Sequence, residues 1–171
     1  YVFVNNKKSF DLVKKKIDNK KFIIFNDYKK FTKSLNFKFD KVVLAIPSTT
    51  GLRYAFFFTE YAKELLIANK ESIICGGKLL LENAKSHKCK ITSIDSEHYC
   101  ISQALLENKI EEIDTVYLTA SGGPFLGMSK RSYSKASIKK VTNHPRWNMG
   151  NKISVDSATL INKIFELIEA H

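Results

Sequence analysis

Short apolar runs and stretches of helical periodicity take turns along most of the 171 residues. Lys21–Phe25 and Lys41–Ile46 have the length and the aliphatic and aromatic content of strands. Asp27–Leu35 between them suits a short helix, and Ser9–Asn19 reads as an amphipathic helix with Ser9 as its cap. After a Pro-Ser-Thr-Thr-Gly turn, Leu52–Glu64 reads as a helix leading into the strand Leu65–Ala68. A second helix is expected over Glu71–His87, weakened at Gly76-Gly77 by about 1 kcal/mol per glycine relative to alanine. Lys90–Ile94 alternates as a strand and runs into a helix that begins at Asp95–His98 and continues through Leu106. Thr115–Ala120 is a further predicted strand, and residues 127–142, rich in Ser and Lys, read as a mobile connection. Ile153–Val155 then precedes a helix over Ser157–Ala170 capped by Asp156 or Ser157.

Repeated β-α-β units with nearly continuous apolar strands imply an α/β fold, a mostly parallel sheet covered by helices. In such sheets ligands sit beyond the carboxyl ends of the strands. The densest polar clusters fall there: Asn69-Lys70-Glu71, Asp95–His98 and Ser121–Pro124. A mild boundary near Lys88–Lys90 divides the chain into parts 1–89 and 90–171.

Composition narrows the partners. The net charge of +11 is concentrated in residues 1–41, which hold twelve lysines against four aspartates. Interleaved Phe10, Phe22, Phe25, Tyr28, Phe31, Phe37 and Phe39 resemble the stacking surface of a single-strand binder. Those aromatics, however, fall on expected core faces, and only three of the 28 basic residues are arginine. A solvated lysine-rich surface is the reading adopted, with a nucleic-acid-binding module as an alternative. Cys75, Cys89 and Cys100 form no Cys-x-x-Cys pair and read as reduced residues of a cytoplasmic protein. No apolar run reaches the roughly 20 residues of a membrane span. The opening at Tyr1, without Met or a signal pattern, suggests an internal or processed piece.

The candidate chemistry is acidic and anion-binding. Asp95 and Glu97 put two carboxylates at a strand-to-helix turn, as hard divalent cations require, although helix capping alone also explains such a pair. Glu166 adds a third carboxylate, on a helical face shared with Asn162 and Lys163. The Ser121-Gly122-Gly123 turn lets backbone N–H groups approach an anion. His144–Gly150 carries the only Trp and suits an apolar cover over a ligand. His98 is a candidate support for the turn beside it.

Five motifs occur here in the order found in the 1-deoxy-D-xylulose 5-phosphate reductoisomerase family. They are Ala68-Asn69-Lys70-Glu71-Ser72, Asp95-Ser96-Glu97-His98, Ser121-Gly122-Gly123-Pro124-Phe125, His144-Pro145-x-Trp147-x-Met149-Gly150, and Lys152–Thr159 followed by Asn162-Lys163-x-x-Glu166. Over roughly residues 40–171 the chain resembles this family of oxidoreductases. The resemblance implies rearrangement and reduction of 1-deoxy-D-xylulose 5-phosphate to 2-C-methyl-D-erythritol 4-phosphate, in non-mevalonate isoprenoid biosynthesis. NADPH and a divalent metal, Mg²⁺ or Mn²⁺, are the cofactors it implies.

Carried over by position, the resemblance implies Asp95, Glu97 and Glu166 as metal ligands, with Lys70 beside them in the catalytic group. Ser96, Ser121, His144, Ser157, Asn162 and Lys163, with Lys70, Glu97 and Glu166, would bind the sugar phosphate. Asn69, Glu71 and Gly150 would face NADPH, and Trp147 and Met149 would form the flap. The parent enzyme would be a homodimer without nucleic-acid or membrane partners, cytoplasmic or, in a eukaryote, in a plastid-type organelle.

Residues 1–89 would be the later part of a Rossmann-like NADPH-binding domain whose Gly-rich first unit is missing. Residues 90–171 would be the catalytic domain without the family's C-terminal helical domain, and this piece alone would be inactive. Two departures stand out. Ile164 replaces a glycine after Asn-Lys, which would crowd the site, and Pro47–Gly51 replaces a Gly-rich turn, which would alter cofactor contacts. The stretch between Leu106 and Thr115 is also shorter than usual. A diverged, non-catalytic relative is therefore a further alternative.

Overall fold

The computed structural model describes residues 1–17, 21–106 and 108–171. Two short strands open the chain: β1 (Val2–Phe3) pairs in parallel with β2 (Ile24–Phe25). Between them lies α1 (Lys7–Lys16), and after them α2 (Tyr28–Lys33). Three longer parallel strands follow, β3 (Phe39–Leu44), β4 (Ala62–Ile67) and β5 (Lys90–Ser93), in the order β3-β4-β5. Helices α3 (Thr50–Tyr61) and α4 (Lys70–Ser86) make the crossovers. This is the α/β architecture with parallel pairing expected from the periodicity. Because β5 pairs with β4, the sheet runs past the boundary expected at 89–90.

The core lies between the three-stranded sheet and its helices. Leu44, Ala62, Leu65 and Ile67 from the strands meet Phe31, Tyr54, Ala55, Phe58, Leu80 and Ala84 from the helices. Phe3 stacks on Phe31 at 5.3 Å and joins the small β1–β2 pair to this core. Of the aromatics expected there, Phe31 is buried, whereas Phe22 and Phe37 stay exposed because they lie outside the paired segments. A groove of about 590 Å³ separates β1 from β3 and is lined by Val2, Phe3, Val4, Val42, Val43 and Leu44.

Several local expectations change. Asn6, not Ser9, caps α1, and its side chain accepts the Ser9 N–H at 3.0 Å. The last two residues of the expected helix, 18 and 19, lie outside the described residues. Helix α3 gives way to β4 three residues early, because register with β3 begins at Ala62. Gly77 leaves helical geometry at φ 45°, so α4 is kinked at its glycine pair.

Thr115–Ala120 forms no strand and has no strand partner among the described residues, and Val116, Tyr117 and Leu118 are exposed. Alternation of side chains marks an extended segment; only a neighbour supplies the ladder that makes it a strand. The helix after β5 is α5 (Ser96–Ala104). The segment expected to be a mobile connection holds two short helices, α6 (Lys130–Tyr133) and α7 (Ile138–Thr142). Residues 153–155 are helical, within α8 (Asn151–Ala158), whose N-cap is Gly150. Leu160, at φ 62°, separates α8 from α9 (Ile161–Ala170), so Asp156 and Ser157 sit inside α8 and cap nothing.

Candidate functional site

Asp95 links β5 to α5 and occupies the N-cap position with extended backbone, yet its side chain caps nothing. Its carboxylate is buried and turned elsewhere. Oδ1 accepts from Ser93 Oγ at 2.7 Å and from His98 Nδ1 at 2.8 Å, and Oδ2 lies 3.9 Å from Lys70 Nζ. Simple helix capping therefore does not explain this residue. Two positions on, Glu97 accepts from Ser96 Oγ at 2.6 Å and forms an ion pair with Lys163.

Lys163 belongs to α9, whose amphipathicity is inverted. Its polar residues Asn162, Lys163, Glu166 and Glu169 face the sheet ends, while Ile161, Ile164, Leu167 and Ile168 face outward. Ile164 is thus half-exposed on the outer face, and the crowding expected from it does not occur. Glu166 is 2% exposed and accepts from Lys70 at 2.6 Å, Asn162 at 2.6 Å and Lys163 at 2.9 Å. Buried carboxylates persist only when paired and hydrogen-bonded, and Glu166 meets that condition on both oxygens.

One oxygen from each of Asp95, Glu97 and Glu166 falls within 4.8 Å of the others. Three carboxylates at that spacing present the hard-oxygen donor set that Mg²⁺ and Mn²⁺ take, with remaining positions left to water or ligand. The residues fit a divalent cation. Two ammonium groups, Lys70 and Lys163, neutralise the same oxygens here.

The electrostatics follow from these contacts. Burial raises the Glu97 carboxyl, but the hydrogen bonds and charge of Lys163 and the Ser96 hydroxyl outweigh it and hold the group down at about 2. Lys163 is shifted upward: burial opposes its charge, and the paired Glu97 and Glu166 more than offset that. His98 also moves up, since Asp95 and Glu169 overcome its burial. Glu169 moves up through burial and the negative charge of Asp95, against the hydrogen bond from Ser93.

A cavity of about 490 Å³ opens beside this cluster. Ser96, Glu97, Asn162 and Lys163 line it on one side, and Ser121, His144, Trp147, Met149 and Ser157 on the other. His144 is buried, and its Nδ1 accepts the backbone N–H groups of Arg146 and Trp147 at 3.2 and 3.1 Å. The remaining proton is therefore on Nε2, which donates to Ser121 Oγ at 2.8 Å. The Ser121 hydroxyl hydrogen is then left for Ser157 Oγ, 3.4 Å away, or for a ligand in the cavity. Gly123, at φ 57°, brings this turn against α8, where a Cβ would stand 3.0 Å from the Ala158 Cα. Trp147 is 62% exposed at the rim.

The residues expected at NADPH form a separate strip. Asn69 donates to the Ser48 carbonyl at 2.9 Å and Ser72 Oγ at 2.8 Å, and its buried Oδ1 has no partner among the described residues. A Cβ on Gly51 would lie 2.5 Å from the Asn69 amide, so the Pro47–Gly51 turn keeps glycine where contact is closest. Glu71 pairs with Lys152 at 2.6 Å, which ties the start of α4 to α8 just after Gly150. Sequence reasoning missed Ser93 and Glu169. The signal was present: Glu169 continues the Asn162-Lys163-Glu166 face by three residues, and Ser93 precedes Asp95 by two.

A parallel α/β sheet with three carboxylates spaced as a divalent cation would take them, and a cavity lined by several hydroxyls beside them, defines a class: α/β proteins with a candidate ligand site beyond the carboxyl ends of the strands. Comparison with known proteins then gives the family. Residues 1–77 match the sequence model of 1-deoxy-D-xylulose 5-phosphate reductoisomerase, and residues 91–171 match that of its C-terminal domain. The chain belongs to the 1-deoxy-D-xylulose 5-phosphate reductoisomerase family.

The protein of that name from Pelagibacter ubique is 40% identical over 171 residues, covering 99% of this chain and 44% of the relative. That of Wolbachia pipientis wMel is 49% identical over 133 residues, 77% of this chain and 34% of the relative. A crystal structure of DOX-P reductoisomerase in complex with NADPH, fosmidomycin and magnesium superposes with a TM-score of 0.71 at 35% identity, covering 96% of this chain and 44% of that one. The Zymomonas mobilis enzyme in complex with NADPH gives 0.72 at 27% identity, over 98% and 43%. The chain thus spans under half the length of the relatives it matches.

Proposed function

We propose that the intact protein containing this chain rearranges and reduces 1-deoxy-D-xylulose 5-phosphate to 2-C-methyl-D-erythritol 4-phosphate, using NADPH and Mg²⁺ or Mn²⁺. The observation that carries this reading is the convergence of Glu166 and Lys163 from α9 with Asp95 and Glu97 beside the 490 Å³ cavity, which Glu97 and Lys163 line. Asp95, Glu97 and Glu166 would hold the metal, and the chemistry it would supply there is Lewis-acid polarisation of a carbonyl and hydroxyl of the substrate.

The chain's own groups supply the rest. Lys163 and Asn162 offer donors to the sugar phosphate from one side, and the Ser121 hydroxyl, oriented by His144, and Ser157 offer them from the other. Lys70 and Ser96 stand nearer the reacting carbons. Trp147 and Met149 close over the site and exclude water from a reactive carbonyl compound. The unpartnered Oδ1 of Asn69 suits the amide donor of a nicotinamide, with Glu71 and Gly150 on the same side.

Residues 1–89 form, in this reading, the later part of a dinucleotide-binding domain. The strand-lined groove between β1 and β3 is where its Gly-rich first unit would insert. Residues 90–171 carry the metal and substrate groups. The intact protein is read as a cytoplasmic homodimer, or a plastid-type one in a eukaryote, acting on a small sugar phosphate and not on nucleic acid or membranes. Among the described residues no helix is long and apolar enough to cross a membrane.

The test is NADPH oxidation, followed as loss of the nicotinamide absorbance, by the intact protein with deoxyxylulose phosphate and either metal. Turnover supports the reading, and its absence at every metal concentration overturns it. Residues 1–171 alone are expected to show none.

A further inference from the structure

Behind the three carboxylates lies an inner group of side chains that none of the roles above uses. Ser93 Oγ stands 2.7 Å from Asp95 Oδ1 and 2.7 Å from Glu169 Oε1, so one hydroxyl bridges two acids. His98 Nδ1 lies 2.8 and 2.9 Å from the two Asp95 oxygens and 3.3 Å from Glu169 Oε2. The Glu169 side chain is 2% exposed, and its Oε2 has no hydrogen-bond partner among the described residues.

An acid in that position is costly for folding alone. A buried carboxyl loses its water, and here it faces a second carboxylate. Helix α9 carries Ile164, Leu167 and Ile168, any of which would pack against β5 at less cost, yet these face outward. What the inner group does achieve is geometric. His98 Nδ1 reaches both Asp95 oxygens and Ser93 holds Oδ1, so the carboxylate is fixed in a position where Oδ2 also lies 3.9 Å from Lys70 and the group stands beside Glu97 and Glu166. Glu169 in turn holds Ser93. Groups that orient a metal-ligating side chain in this way set its affinity for the ion.

We propose that Glu169, acting through Ser93, is a positioning residue that fixes the Asp95 carboxylate for the divalent cation. The inference rests on the proposed function, because it assumes that Asp95 is a metal ligand. Ser93 has a single hydrogen for two carboxyl neighbours, so one of its two contacts needs a donor from the other side. The amide of a glutamine at position 169 supplies such a donor, whereas alanine supplies none.

The experiment is a Mn²⁺ titration of the intact protein without substrate or NADPH, reading free Mn²⁺ by electron paramagnetic resonance. The Tm is measured in parallel without metal. Glu169→Ala and Ser93→Ala are expected to weaken Mn²⁺ binding by about 10–100-fold, and Glu169→Gln to stay within about threefold of the parent. Ser93→Ala is expected to do so while remaining folded, with a metal-free Tm lowered only modestly by the lost hydrogen bond to Glu169. Should Glu169→Ala fail to fold, Ser93→Ala decides the matter. Parent-like affinity in Ser93→Ala, or equal losses in Glu169→Gln and Glu169→Ala, overturns the inference and leaves the proposed function standing. Two Mn²⁺ ions per chain would make Asp95, His98 and Glu169 ligands of their own and also overturn it. A parent protein that binds no Mn²⁺ removes both.

Discussion

Among the described residues, eleven of the twelve buried apolar side chains lie between Phe31 and Cys89, and only Ala158 lies beyond. From Asp95 onward the buried polar and charged residues are Asp95 itself, His144, Ser154 and Glu166. The first half is therefore organised by a sheet and the aliphatic surface it covers. The second is organised by ion pairs and hydrogen bonds that converge from α5, α9 and the Ser121 turn. The difference shows where each property can reside. Apolar burial is non-directional and yields a firm scaffold, whereas paired charges demand particular partners and so can specify a ligand.

Truncating side chains in the two halves puts this contrast under the greatest load. Leu65→Ala, at a fully buried position of β4, should cost about 2–5 kcal/mol by chemical denaturation. Leu167→Ala on the outer face of α9 should stay within about 0.5 kcal/mol. Equal costs would mean that the second half has an apolar core after all.

Next in size is the response to metal. Mn²⁺ at about 100 times its Kd should add about 2.7 kcal/mol of stability. Slowed hydrogen exchange should concentrate at Asp95–His98 and Ile161–Ala170, with little change in β3 and β4. Uniform slowing along the chain would erase the distinction.

A weaker influence is that of pH. Glu97 is held at about 2, below the ordinary 4.5, so its stabilising share is present above 4.5 and is lost as the pH falls through about 2. A carbon-13 titration of its carboxyl should show a midpoint near 2, and Lys163→Gln should move that midpoint upward. An ordinary midpoint in the parent would remove Lys163 from the Glu97 pair.

Much of this molecule is legible in its residues. The β-α-β alternation, the parallel sheet and the polar clusters at Asn69–Glu71 and Asp95–His98 follow from side-chain periodicity and residue type. Local pattern failed where the outcome depended on a partner. Thr115–Ala120 has strand alternation but no neighbouring strand among the described residues. The run 157–170 has helical periodicity throughout, yet Leu160 breaks it with a left-handed backbone. Glu169 and Ser93 drew no reading of their own from the sequence, and only the fold brings them together, 2.7 Å apart in a part-buried hydrogen bond between α9 and β5.

By itself, the order of residues determined most of the strands and helices up to α5, which side chains carry charge, and which motifs accompany one another. Those follow from propensity and spacing along a few turns of chain. Only the tertiary structure decided that α9 turns its polar face inward, that Asp95 serves Ser93 and His98 in place of capping α5, and that His144 sets the direction of the Ser121 hydroxyl. Each of these depends on a hydrogen-bond or ion-pair partner tens of residues away or on a competing local contact. The energy of such a contact exists only once folding has removed both groups from water.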